Sequence, residues 1–149
     1  MRARDLAVQV PPVRVGDPVS RAVKVMVNEG LPGVIIVDWD DRPRYVLPGS
    51  QVLKLMVSEY SDDSALARTI DEAHADQFWS DMGTRSIADC VDVEEAKLAK
   101  VRPDATVLEV VIAMSKLRTP LIAVVDEKGK LVGCITLNGL LAVVALPYV

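Results

Sequence analysis

The sequence predicts a mixed α/β fold of the α+β type: two β-α-β-β-α repeats packed about a pseudo-twofold axis, with a helical insertion between them. Three observations predict it. First, LPGVIIVD at 31–38 and TPLIAVVD at 119–126 are two versions of one segment. Pro32 and Pro120 stand 88 positions apart (120 − 32), as do Asp38 and Asp126 (126 − 38). At that offset 13–53 and 101–141 share nine identities in 41 positions without a gap, at Val13, Arg14, Val19, Val23, Met26, Pro32, Val37, Asp38 and Leu53. Second, each copy runs from helical apolar spacing into two short, strand-like apolar runs. Third, the stretch between the copies has helical rather than strand character.

The first copy begins with a short lead-in strand near Val13-Arg14, and a helix follows. Asp17 is placed to cap it, and Pro18 suits its first position, where a missing N–H costs nothing. Val19, Ala22, Val23, Met26 and Val27 fall on one face at helical spacing. Gly30 suits the helix end. The apolar run at 34–37 lacks alternation, which implies a strand buried on both faces. The polar turn Asp38-Trp39-Asp40-Asp41-Arg42 leads to a second strand at 44–47, and a second helix starts near Ser50.

The second copy repeats this order. Thr106-Val107-Leu108-Glu109 is a capping box, in which the hydroxyl and the carboxylate each accept from a free backbone N–H at the helix start. Val107, Val110, Val111 and Met114 make the matching stripe. An apolar strand at 121–125, the turn Asp126-Glu127-Lys128-Gly129-Lys130, a strand at 131–135 and a helix from about Asn138 complete the unit. The two sheets are expected to pack on each other, because either half alone leaves one sheet face bare.

These readings divide the chain into a first repeat over 1–57, a helical insertion over 58–87 and a second repeat over 88–149. Ser61-Asp62-Asp63-Ser64 offers caps, 65–82 reads as a helix that Gly83 ends, and 87–91 leads into the second copy. His74, the only histidine, has no second His, Cys or Ser motif beside it and reads as a solvated or packed helical residue. Asp62-Asp63 and Glu94-Glu95 read as caps and solvated faces rather than an acid/base pair.

Composition narrows the function. At 149 residues the chain fits one compact domain of two intertwined halves. A net charge of −4 supplies no basic field for a phosphodiester backbone, so nucleic acid is not an expected partner. Half the residues are apolar and the mean hydropathy is +0.26, so some apolar surface is expected to be covered by another subunit. Cys90 and Cys134 lack metal spacing and fit a reducing cytoplasm; Cys134 reads as a buried apolar residue. The N-terminal MRARDLAVQV holds no signal-peptide core, and the apolar run at 140–149 is too short to span a bilayer, so no membrane insertion is expected. No nucleophile is set beside a base, and there is no metal cluster or Gly-rich phosphate loop, so no catalysis is expected.

Two β-α-β-β-α copies, each with a Pro before its inner strand and a strand-to-helix corner after the next, resemble a tandem pair of CBS (cystathionine-β-synthase) domains, a Bateman module. The resemblance covers about 4–57 and 88–146 and is clearest in SKLRTPLIAVVDEKGKLVGCITLNGLL at 115–141. With DEAHADQFW at 71–79 in the insertion, the chain also looks like small stand-alone actinobacterial proteins of this type. The resemblance implies a regulatory module that holds an adenosine compound (AMP, ADP, ATP or S-adenosylmethionine) in the cleft between repeats. The corner motif of such modules runs Gly-h-h-Thr-x-Ser/Thr-Asp, with h apolar. Its Thr and Asp hold ribose or phosphate, and a basic residue two positions before the Pro reaches phosphate.

Carried onto the second copy, the resemblance implies a site built from Arg118, Thr119, Pro120, Ile122, Ile135, Thr136, Asn138 and Gly139. Gly133 stands at the motif's Gly, and Gly139 stands where the ribose-holding Asp belongs. The first copy supplies a weaker set: Leu31, Pro32, Val34, Ser50 and Gln51. There Pro48 replaces the Thr, Gln51 replaces the Asp, and Gly30 stands at the basic position. Losing a charge-assisted hydrogen bond costs about 1.5–3 kcal/mol. The alternative is therefore a ligand-free dimerisation or scaffold module with decayed pockets. With no effector domain in the sequence, a sensing module is expected to act on a separate, unknown protein. The apolar helices at 19–30, 107–117 and 138–146 predict a symmetric homodimer.

Overall fold

In a computed structural model that describes residues 1–57, 76–77, 80–81, 83–92 and 96–145, the chain forms two three-stranded sheets with their helices. His74, Asp62-Asp63, Glu94-Glu95 and most of the helix expected at 65–82 lie outside the described residues. The first repeat comprises β1 (Val13–Arg14), α2 (Val19–Glu29), β2 (Gly33–Val37), β3 (Pro43–Pro48) and α3 (Gly49–Met56), preceded by the short helix α1 (Ala3–Leu6). The second comprises β4 (Lys100–Val101), α5 (Val107–Leu117), β5 (Leu121–Val125), β6 (Leu131–Thr136) and α6 (Leu137–Ala145), preceded by the short helix α4 (Ile87–Cys90).

The sequence offset of 88 is also a structural one. Strand β1 runs parallel to β2 with Val13 opposite Ile36, and β4 runs parallel to β5 with Val101 opposite Val124. In the antiparallel pairs Val34 faces Leu47 and Ile122 faces Ile135. Each pairing slips once, between Ile36 and Val37 and between Val124 and Val125.

Both central strands are buried along their whole length, as the unbroken apolar runs predict. Alternation along β2 sends Val34 and Ile36 toward α2 and α3. It sends Ile35 and Val37, with Val46 of β3, into a single core with Leu121, Ile122 and Val124 of the second repeat. The sheets thus cover each other's bare faces.

The segments before each repeat cross to the other one. Near the N-terminus the Ala3 N–H donates to the Ala105 carbonyl (2.8 Å), and Val8 and Cys134 exchange backbone hydrogen bonds of 2.8 and 3.0 Å. In the same way 85–88 embraces the first repeat: Val19 N–H donates to Arg85 (2.9 Å), Ile87 N–H to Asp17 (2.9 Å) and Ala88 N–H to Val15 (2.9 Å). The bridges match in pairs, Arg2 to Thr106 with Pro18 to Ser86, and Val8 to Cys134 with Val46 to Lys97. This reciprocal exchange is the pseudo-twofold relation in backbone terms.

Three local expectations are corrected. Pro18 is the residue before α2 rather than its first turn, and Asp17 does not cap the helix; its carboxylate accepts the Arg14 N–H at 2.9 Å. The Arg85 carbonyl takes the Val19 N–H that a cap would have served. Val25 is buried in place of Val27, which is 74% exposed; at 3.6 residues per turn Val27 lies about 140° around the helix from Ala22. The stretch expected only to lead into the second copy forms α4, capped by the Ser86 hydroxyl, which accepts the Asp89 N–H at 3.2 Å. The Thr106–Glu109 capping box forms as expected, with bonds of 3.2 and 2.6 Å.

Cys134 is 0% exposed, and burial pushes its thiol up to about 11. It is therefore a neutral, shielded group at pH 7. In the native protein a charged disulfide reagent is expected to titrate at most one thiol, the half-buried Cys90. Both thiols should react in denaturant, and two that react at once without it would contradict this packing.

Candidate functional site

Each repeat turns from its third strand directly into a helix, and the carbonyl of the motif proline closes the corner. Gly49 N–H donates to Pro32 and Leu137 N–H donates to Pro120, both at 2.8 Å. These bonds fix where each helix begins, and so where its first-turn N–H groups point. The corners then differ. In the second repeat the Thr136 hydroxyl accepts the Gly139 N–H at 3.1 Å and caps α6. In the first repeat Pro48 has no hydroxyl to offer, and no side chain caps α3.

A cleft of about 200 Å³ opens beside this uncapped corner and draws its walls from both repeats. The first repeat supplies Val46, Pro48 and Gln51; the second supplies Leu117, Arg118 and Thr119. Lys97 and Ala99 come from the crossing segment, which the bond from Val46 N–H to the Lys97 carbonyl (3.0 Å) pins along the free edge of β3. Among the described residues the walls hold two cations, a neutral amide and no carboxylate. Among the described residues, neither the Lys97 ammonium nor the Arg118 guanidinium has an ionic partner.

Arg118 occupies this place at some backbone cost. It ends α5 in the left-handed region, with φ 51°. Its repeat counterpart Gly30 ends α2 with φ 62°, where a glycine pays no Cβ penalty. A side chain there costs roughly 1–2 kcal/mol. The second repeat accepts that strain and gains a guanidinium at the cleft.

A second, largely apolar cleft of about 430 Å³ lies between α5 and α6. Its walls include Val111, Met114, Leu140, Leu141 and Val144, with Arg118, Thr119 and Pro120 along one side. Arg118 therefore stands between the two clefts.

The structure divides the residues that the corner motif suggested. It joins Arg118 and Thr119 of the second-copy set to Gln51 of the first-copy set. Thr136, Asn138 and Gly139 line neither cleft. The Thr119 hydroxyl is engaged locally, donating to the Leu121 carbonyl at 2.6 Å. Asn138, Gly139 and Ser50 are exposed, and Leu31 and Pro32 are half-buried. Val34, Ile122 and Ile135 are at most 1% exposed and belong to the core. Gly133 has a structural reason to be glycine, since a Cβ there would lie 2.7 Å from the Val8 carbonyl oxygen of the crossing segment. Sequence reasoning missed Lys97 and Pro48 as wall residues. The missing signal was the backbone exchange between repeats, which has no side-chain pattern.

No group of three or more His, Cys, Asp or Glu residues is arranged to hold a metal ion among the described residues. No helix among them is long and apolar enough to cross a membrane.

Comparison with known proteins places this geometry. Residues 91–146 match the family model described as the CBS domain. The chain is 39% identical to a CBS domain-containing protein of unknown function from Kribbella flavida, with a TM-score of 0.77 over 97% of this chain and 98% of that one. CBSX2, solved in complex with AMP, shares the fold at 18% identity, with a TM-score of 0.68 over 98% of this chain and 96% of that one. A CBS domain-containing protein of unknown function from Bacillus anthracis does so at 12% identity, with a TM-score of 0.71 over 100% and 95%. No curated protein matches the sequence.

Proposed function

Because the chain belongs to the CBS-domain family, we propose that it is a non-catalytic regulatory module, placed in the cytoplasm, that senses an adenosine-containing ligand between its repeats and acts on a separate partner protein. AMP, ADP, ATP and S-adenosylmethionine are the candidate ligands. The observation that carries this reading is the inter-repeat cleft, whose walls come from both repeats, so a bound ligand would report on their relative position. That CBSX2 was solved with AMP supports the ligand class.

The protein acts as a homodimer in this reading. Helix α6 buries only Leu140 of its nine residues, although most of the others are apolar. Leu108, Ile112 and Leu117 of α5 are 66%, 55% and 43% exposed beside it. A second copy covering this face would account for both.

The second reading, a scaffold with decayed pockets, is favoured by the chemistry at Gln51 and Gly139, neither of which offers a carboxylate to a ribose diol. Thermal denaturation separates the two. A ligand present at a hundred times its Kd stabilises the native state by about 2.7 kcal/mol, which raises the Tm of a chain this size by roughly 5–10 °C. Sensing predicts such a rise with at least one candidate. A Tm unmoved by millimolar concentrations of each leaves the scaffold.

A further inference from the structure

Resting on the homodimer reading above, we infer which surface the second copy brings: its own α5/α6 face, so that second repeat meets second repeat across a twofold axis and the first repeats stand outermost. The repeats agree in their strand pairings but not on their outer helical faces. At the offset of 88, the exposed Leu108 and Ile112 of α5 correspond to Ser20 and Lys24 of α2 (108 − 88 and 112 − 88). Helix α6 carries no charged residue over its nine, whereas its counterpart α3 carries Lys54. Helix α2 carries Arg21, Lys24 and Glu29. Helix α5 keeps two charges, Glu109, which closes the capping box, and Lys116 in its last turn.

Two helical faces of the second copy compete to cover α5 and α6. The α2/α3 face offers apolar surface at the exposed Val27 and Leu53, but Lys24 stands one turn before Val27 on the same side of α2. Opposite it would lie the 430 Å³ cleft, whose walls among the described residues hold no carboxylate. The ammonium would give up water and gain no ionic partner there. That face is also taken up in part by its own chain: a Cβ on Gly83 would lie 3.2 Å from Ser20 Cβ, and the Arg85 carbonyl accepts the Val19 N–H at 2.9 Å. The α5/α6 face meets neither obstacle. Leu108 and Ile112 form a ridge, each three positions before a wall residue of the cleft, Val111 and Ser115. Ridge and cleft therefore lie side by side, and a twofold axis offers the ridge of each copy to the cleft of the other.

Sedimentation of the intact chain with two single variants at counterpart positions, Ile112→Asp and Lys24→Asp, tests this. Ile112→Asp is expected to weaken association by roughly a hundredfold or more, and Lys24→Asp to leave it unchanged. Were second repeat to meet first repeat, Ile112→Asp would place a carboxylate against the face that carries Lys24 and associate as tightly as the parent, and Lys24→Asp would change the dimer; either result overturns the inference. A second measurement does not depend on charging the interface. Nitroxide labels go on Lys116→Cys and on its counterpart Asn28→Cys (116 − 88 = 28). The background is Cys90→Ser, in which the remaining native thiol, Cys134, is buried. The distance between labels across the dimer is expected to be shorter at 116 than at 28, and an equal or longer one overturns the arrangement. A parent dimer that fails these tests loses this arrangement and keeps the homodimer reading, whereas a monomeric parent loses both.

Discussion

Leu121→Ala is expected to cost the fold about 2–5 kcal/mol, Gly33→Ala about 1–3 kcal/mol, and the two together clearly less than their sum. These residues occupy the same position in the two repeats (121 − 33 = 88) and meet at the join between them. A Cβ on Gly33 would lie 2.8 Å from Leu121 Cδ2 and 2.9 Å from the Pro48 Cα, and closer still to the Leu47 carbonyl oxygen. Leu121 is 0% exposed, with its side chain reaching into the space that the missing Cβ at Gly33 leaves open. Truncating Leu121 leaves a cavity, and adding a methyl at Gly33 overfills the same place. In the double variant the new methyl finds part of its room already vacated, so a coupling of about 1 kcal/mol in its favour is expected. The relief stays partial, because the backbone of Leu47 and Pro48 does not move away with Leu121. Equilibrium urea unfolding of the four proteins measures the cycle. Strict additivity would mean that the positions do not touch.

That contact marks how far the sequence could be read. The repeat, its offset and the buried central strands were visible because apolar period and breaker residues carry them. Every strand pairing follows the same offset. The Gly33–Leu121 fit was not visible, since a glycine that yields to a neighbour's side chain looks like any other glycine before a strand. The site was legible only in part. Arg118 and Gln51, which line one cleft, stood in different copies' sets, because a motif carried along one repeat keeps its residues together in sequence. In the fold, the segments exchanged between repeats bring Lys97 to the first-repeat corner and set Arg118 beside Gln51. Backbone exchange of this kind leaves no trace in side-chain chemistry. Thr136 suited either a ligand group or a helix cap by its residue type, and its hydroxyl accepts the Gly139 N–H of its own helix.

Charging the bare helical face is expected to turn a homodimer into a monomer. Ile112 and Leu141 are 55% and 47% exposed and lie on α5 and α6. Leu141 also lines the apolar cleft between these helices. A helix that is apolar on nearly every side needs cover, and no described part of this chain provides it: Leu140 is the one buried residue of α6. Ile112→Asp combined with Leu141→Asp places carboxylates where a second copy would have to desolvate them, at a cost of several kcal/mol for each ion, so association should weaken by roughly a thousandfold or more. The same changes should leave the protomer folded, because substitutions at exposed positions usually stay within about 0.5 kcal/mol. Sedimentation at concentrations on the order of tens of micromolar, where ordinary dimers are assembled, is expected to give a dimer for the parent chain and a monomer for the variant, with the same far-ultraviolet circular dichroism. A monomeric parent would remove the dimer from the proposal. A variant that stays dimeric would move the interface elsewhere and leave the apolar face of α5 and α6 for a different protein, which is where a ligand held by Arg118, at the border of both clefts, would make itself felt.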